Sequence, residues 1–141
     1  MDTVITVSDQ ADDAAAKVLG EGLGAFNDAK LGFGDRLPLQ VLVRDRASGA
    51  VLGGVIGRTS LGVLTIQTVY LPEALRGRDI GTRMMGLAEA EARLRGCRAG
   101  VVETISFQAP GFYQRLGWRI FGEIPALPEG ARRIFLTKDF T

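Results

Sequence analysis

At 141 residues the chain has the length of one domain, and a globule of that size buries about two-thirds of the surface its unfolded form exposes. Apolar residues make up 46% and charged residues 23%, an ordinary globular balance that excludes a disordered segment, a fibrous repeat and a disulfide-stapled miniprotein. The 17 basic and 16 acidic side chains leave a formal charge of +1, so no global field draws in nucleic acid or an anionic membrane, and any anion site has to be local.

In chain order, residues 3–7 alternate apolar and polar side chains and read as a first strand, with Ser8 or Asp9 placed to cap a helix starting near Gln10. Along that helix Ala15, Val18 or Leu19, Leu23 and Phe26 recur at helical spacing, interrupted by Gly20, Gly22 and Gly24. Residues 38–45 and 50–59 are β-branched runs separated by Arg46-Ala47-Ser48-Gly49. A third run, 63–71, follows another short turn and is stopped by Pro72, which predicts an antiparallel three-strand meander. After Arg76-Gly77-Arg78-Asp79 the period changes from two to about 3.6, with Ile80, Met84, Leu87, Ala88 and Leu94 on one face. Glu89 with Arg93 and Glu91 with Arg95 are i,i+4 pairs in the favourable order, and Gly96 stops the helix. Residues 99–105 read as a strand, and Pro110 opens a short helix reaching Leu116 that Gly117 ends. Residues 118–124 and 132–137 read as a final strand pair. Strand, long helix and strand in succession imply one parallel crossover within a largely antiparallel sheet, a mixed α/β domain spanning residues 1–141.

Two absences narrow the chemistry. The chain contains no histidine, which excludes Ser-His-Asp and Cys-His nucleophile systems and every His-ligated zinc site. Its single cysteine, Cys97, can form neither an internal disulfide nor a multi-cysteine metal site, and after a helix stop it is expected to pack as a small hydrophobe. No metal is expected. The longest apolar run is too short to cross a bilayer and the acidic start opens no secretory leader, so the expected setting is the cytoplasm.

The stretch Leu71-Pro72-Glu73-Ala74-Leu75-Arg76-Gly77-Arg78-Asp79-Ile80-Gly81-Thr82 joins a strand to a helix through a glycine-containing loop. Such a loop aims unpaired backbone N–H groups at one point beside the positive end of the helix dipole, with Arg76, Arg78 and Arg83 nearby, an arrangement suited to phosphate. Gly81 lets a pyrophosphate approach the backbone. No Gly-Lys-Ser/Thr ending is present and the loop lies mid-chain after a meander, against a nucleotide-triphosphate loop or a dinucleotide fold. An electrostatic nucleic-acid surface lacks both a basic excess and interleaved aromatics.

At these residues the chain resembles the GNAT superfamily of N-acetyltransferases, whose acetyl-coenzyme A loop reads Arg/Gln-x-x-Gly-x-Gly/Ala. Arg76 and Gly81 match its first and last positions. Downstream, Ser106-Phe107-Gln108-Ala109-Pro110-Gly111-Phe112-Tyr113 and then Leu116-Gly117-Trp118 resemble the family's Asn-x-x-Ala-x-x-Leu-Tyr and Gly-Phe segment. Upstream, Arg44-Asp45, Gly53-Gly54 and Val69-Tyr70-Leu71 fit as well, so the likeness covers nearly the whole chain. Asp79 departs from it at the middle glycine of the loop, and Ser106 stands where asparagine is usual. A carboxylate at Asp79 costs little if it points to solvent or pairs with Arg76 or Arg78.

The resemblance implies a GNAT fold: a mostly antiparallel mixed sheet of six to seven strands, splayed between parallel strands four and five, flanked by about four helices. It implies acetyl-coenzyme A as cosubstrate, held by Val69, Tyr70, Leu71, Arg76, Gly77, Arg78, Asp79, Ile80, Gly81, Thr82, Ser106 and Tyr113, with the pantetheine arm in the splay. The acetyl group then passes directly to a small-molecule or protein amine, with no nucleic acid or membrane as partner. Tyr113 is the expected general acid, since a phenol near pKa 10 matches a departing thiolate. Glu103 is the carboxylate best placed as base, against the alternatives of a strand-end charge satisfied by an arginine, a water relay, or an amine that arrives neutral. Trp118 and Phe121 are expected in the core, Tyr70 in the core or the acceptor pocket, and residues 25–38 and 125–133 on the pocket walls. The resemblance admits a homodimer. A coenzyme-binding module without transfer activity and a purely structural domain are the alternatives to an enzyme.

Overall fold

The computed structural model describes all 141 residues, which form two compact units, Met1–Gly34 and Asp35–Thr141. In the first, the expected strand at residues 3–7 does not form: Val4, Ile5 and Val7 stand 85%, 95% and 99% exposed and belong to no ladder. Alternation alone makes no strand without a partner edge to satisfy the backbone. The helix α1 spans Asp13–Leu31, unbroken through its glycines. Its cap is Asp12 rather than Ser8 or Asp9, the Asp12 carboxylate accepting the Ala15 N–H at 2.9 Å, and Gly32 closes it in the left-handed conformation at φ 80°. Ala25 to Leu31 is therefore helix rather than loop.

The second unit carries one six-stranded sheet in the order β1-β2-β3-β4-β6-β5. Strands β1 (Leu37–Arg44), β2 (Val51–Ser60) and β3 (Val63–Tyr70) form the expected antiparallel meander. The β2–β3 turn is only Leu61-Gly62, both at positive φ (52° and 81°), and the Asp35 carboxylate accepts the Leu61 N–H at 3.0 Å. Helix α2 (Ile80–Leu94) crosses over the meander and leads to β4 (Ala99–Ile105), parallel to β3. A short helix α3 (Pro110–Arg115), then β5 (Arg119–Pro125) and β6 (Arg132–Asp139), complete the unit. Three α-helices and a 3-10 turn at Glu73–Leu75 thus accompany six strands, and the parallel pair expected at positions four and five is β3 and β4, because the first expected strand is missing.

The core lies between α2 and one sheet face, where Leu64, Met85, Leu136 and Val55 are fully buried. The buried stripe of α2 is Met84, Met85, Ala88, Glu89 and Ala92; Leu87 and Leu94, expected on it, are 62% and 84% exposed. At about 100° per residue those two leucines lie opposite the centre of that stripe, and two alanines on the inner side let the helix come close to the strands. Arg95 makes its expected ion pair with Glu91 at 3.1 Å and also donates to the Pro38 carbonyl (2.9 Å) and the Thr59 hydroxyl (3.1 Å), which ties the end of α2 to β1 and β2. Trp118 is in the core as expected, but Phe121 is 53% exposed, turned out at the bulge between Ile120 and Gly122. No helix is long and apolar enough to cross a membrane.

Candidate active site

β3 and β4 pair only from Val63↔Ala99 to Ile66↔Val102 and then part. β3 continues to Tyr70 alongside β2, so from Gln67 onward its β4-facing edge has no strand partner. A Gln67 bulge, residue 67 being skipped between the partners of Ile56 and Gly57, twists the strand where the gap opens. Its glycine neighbour has a steric reason: a Cβ on Gly57 would lie 2.4 Å from the Thr65 carbonyl oxygen. The splay opens a cleft of about 880 Å³, within the size range of small-molecule sites.

One wall is the end of β3 with Val69, Tyr70 and Leu71. Tyr70 is 56% exposed, which places it on the wall and not in the core. The floor at one end is the loop into α2, with Arg76, Gly77, Asp79, Gly81 and Thr82 lining the cleft. Gly77 and Asp79 both adopt left-handed backbone, at φ 75° and 61°. Position 79 thus demands the conformation for which glycine is the natural residue and Asp or Asn the tolerated substitute. Asp79 is the residue preceding α2, yet its side chain caps no N–H, so the amides of the first turn stay free for an anion. The carboxylate is exposed and makes no ion pair, with Arg76 and Arg78 not its partners. Arg76 instead donates from Nε to the Leu71 carbonyl at 2.9 Å, tying the loop back to the end of β3. A Cβ on Gly81 would sit 3.2 Å from the Phe112 ring, so this glycine also sets the close approach of α2 to α3.

Three of the expected residues turn their side chains elsewhere. Arg78 and Ile80 do not line the cleft; Arg78 is exposed and Ile80 packs against the core. Ser106 does not line it either: its hydroxyl accepts the Arg132 N–H at 2.9 Å and its N–H donates to the Arg132 carbonyl, so it fastens β4 to β6. Gln108 lines the cleft instead, oriented by its amide oxygen, which accepts from the Ile105 N–H (2.9 Å) and the Thr104 hydroxyl (3.0 Å). Phe107 and Arg115 complete the rim, neither singled out beforehand because only the turn after β4 brings them there. Residues 125–132 wall a separate depression.

Tyr113 of α3 lines the cleft while 6% exposed, and burial pushes its phenol above the ordinary value near 10. Its ring meets those of Phe112 and Trp118 edge-on at 5.2 and 6.3 Å. Glu103 of β4 also lines the cleft, half-exposed, its carboxylate accepting from Arg133 at 2.6 Å: the strand-end pairing with an arginine is what the structure contains. Cys97 is buried and outside the cleft, and burial raises its thiol, as expected of a packing residue.

This geometry has counterparts. The sequence profile of the Acetyltransferase (GNAT) family matches residues 17–118. The chain belongs to that family. The acetyltransferase Atu2258 of Agrobacterium fabrum is 35% identical over 134 residues, 95% of this chain and 97% of that one. Blasticidin-S acetyltransferase of Streptomyces morookaense is 39% identical over 92 residues, 64% of this chain and 68% of that one. A crystal structure described as an acetyltransferase from Agrobacterium tumefaciens superposes with a TM-score of 0.85 at 34% identity, covering 97% of this chain and 99% of that one. As a GNAT acetyltransferase acting on acetyl-coenzyme A, the chain has residues that fit this substrate: free amides at the start of α2, an arginine-bearing loop, and an unpaired strand edge for an extended amide-bearing arm.

Proposed function

We propose that this GNAT acetyltransferase is an N-acetyltransferase that passes the acetyl group directly to an amine, with Tyr113 as general acid. The observation that carries the reading is the position of Tyr113: buried, with its phenol held protonated, on the wall of the same splay whose other end is the phosphate-suited loop. Acetyl-coenzyme A supplies a thioester, whose C–S bond breaks as the bond from carbon to the amine nitrogen forms. The Tyr113 hydroxyl donates its proton where the thiolate departs. The free amides of α2 and Arg76 hold phosphate, and the open edge of β3 from Gln67 to Tyr70 orients the arm. Glu103, paired with Arg133 on the cleft lining, is the carboxylate available to take the proton that the amine sheds, directly or through water. The likeness to Blasticidin-S acetyltransferase favours a small-molecule amine over a protein amine as acceptor.

The test is thiol release from acetyl-coenzyme A against a panel of small amines, including blasticidin S, and lysine peptides. Tyr113→Phe is expected to lower kcat by about 100-fold with the KM for acetyl-coenzyme A within about threefold, and Glu103→Gln to raise the KM for the amine. Full kcat in Tyr113→Phe would refute Tyr113 as the acid. Coenzyme binding without transfer to any panel amine would favour the silent module, for which the free Asp79 carboxylate is the structural argument.

A further inference from the structure

Outside the cleft, one buried charge cluster takes no part in the mechanism above. Glu89 of α2 is 5% exposed. One carboxylate oxygen lies 2.7 Å from Lys138 Nζ of β6 and 3.9 Å from the Arg93 guanidinium, and the other accepts from the Trp118 indole N–H at 3.3 Å. Lys138 Nζ also donates to the Leu116 carbonyl at 2.6 Å, the residue that ends α3. Gly117 makes the turn after α3 at a φ of 93°, a left-handed conformation that favours glycine, beside the Lys138 stem. The Trp118 and Leu116 N–H groups both donate to the Tyr113 carbonyl at 3.0 Å, and the Trp118 ring packs edge-on against the Tyr113 ring.

Of the two partners that Glu89 engages most closely, Lys138 thus holds the end of α3 and Trp118 packs against Tyr113. A buried ion pair is a weak source of stability, since apolar side chains of the same volume do as well or better. What it supplies is direction: a charged hydrogen bond is short and fixes the angle of its partners. A six-residue helix has too few internal hydrogen bonds to hold a side chain in place by itself.

We infer that Glu89 and Lys138 are positioning residues for Tyr113, a clamp through Trp118 and the α3 C-terminus that joins the helix of the phosphate-suited loop to the helix of the general acid. The inference rests on Tyr113 being that acid. The full chain is labelled with 3-fluorotyrosine, which gives signals only from Tyr70 and Tyr113, assigned with Tyr113→Phe. Wild type, Glu89→Gln and Lys138→Met are compared by fluorine NMR with and without acetyl-coenzyme A, by calorimetry for its Kd, and by thiol release with the amine that wild type turns over fastest. Thermal melting confirms the fold of each variant, and Glu89→Gln, which keeps the shape and an acceptor oxygen, stands in if Lys138→Met does not fold.

The expected result is a Tyr113 signal that broadens or moves and loses its coenzyme-induced shift, an unchanged Tyr70 signal, a Kd within about threefold, and kcat lower by at least about tenfold. A Tyr113 signal and coenzyme-induced shift identical to wild type in the folded variants would overturn the clamp, even with Tyr113 the acid. Full kcat in Tyr113→Phe would overturn the acid assignment on its own, separately from whatever the variants do to the signal.

Discussion

Asp79 offers the sharpest test of the phosphate-suited loop, because it combines a backbone demand with a charge. Its φ of 61° costs a non-glycine residue about 1 kcal/mol, while glycine in the unfolded chain loses a similar amount in entropy. The stability change in Asp79→Gly is therefore expected to fall within about 1 kcal/mol of zero. The carboxylate is exposed and unpaired, so its effect on a bound pyrophosphate is that of one free charge near two. For charges roughly 5 Å apart in a water-like dielectric each repulsion is about 0.8 kcal/mol, and screening at 0.15 M salt leaves about half. The sum of about 0.8 kcal/mol corresponds to a coenzyme affinity about fourfold tighter in Asp79→Gly, rising to about sevenfold near 0.05 M salt. Asp79→Asn separates the two effects, since asparagine keeps a side chain that tolerates the left-handed conformation and removes only the charge. Isothermal titration of acetyl-coenzyme A into the three proteins at two salt concentrations measures this. Unchanged or weaker binding in both variants at low salt would refute the placement of phosphate at this loop.

Other measurements address the acid and the packing of the loop. Burial raises the Tyr113 phenol, so its contribution to stability is complete below the ordinary value near 10 and is lost as pH rises through the higher folded value. The alkaline limb of kcat/KM is accordingly expected above pH 10, absent in Tyr113→Phe, and matched by phenolate absorbance; a limb well below 10 would exclude this phenol as its source. Gly81→Val places branched carbon against the Phe112 ring, where even a Cβ would lie at 3.2 Å; overpacking of about 1–3 kcal/mol should lower Tm by several degrees and weaken coenzyme binding. A variant with wild-type Tm would show that α2 and α3 do not approach this closely.

Much of the second unit was legible because its signals are local. The β-branched runs, the change of period after Asp79 and the glycine stops gave β2 to β4, α2 and α3 to within a residue or two, and the strand-helix-strand order gave the parallel crossover. The resemblance to the GNAT superfamily, rather than local pattern, implied that Tyr113, Glu103, Val69 and the loop after β3 share one cleft, and Arg76, Gly77, Asp79, Gly81 and Thr82 of that loop line it with them. Where local pattern had no partner to act on, it misled: residues 3–7 alternate without pairing, and Leu87, Leu94 and Phe121 are apolar yet exposed.

The sequence by itself determined the order of elements from Asp13 onward and the glycine-containing turn from β3 into α2, because backbone conformational preference and periodicity are properties of short stretches. Only the tertiary structure decided which edge stays open, that Gln108 rather than Ser106 faces the cleft, and that Glu89 meets Lys138 beneath Trp118. Those facts depend on strand register and on residues up to 49 positions apart packing at a shared core, and nothing in a local window encodes which distant surfaces will exclude water together.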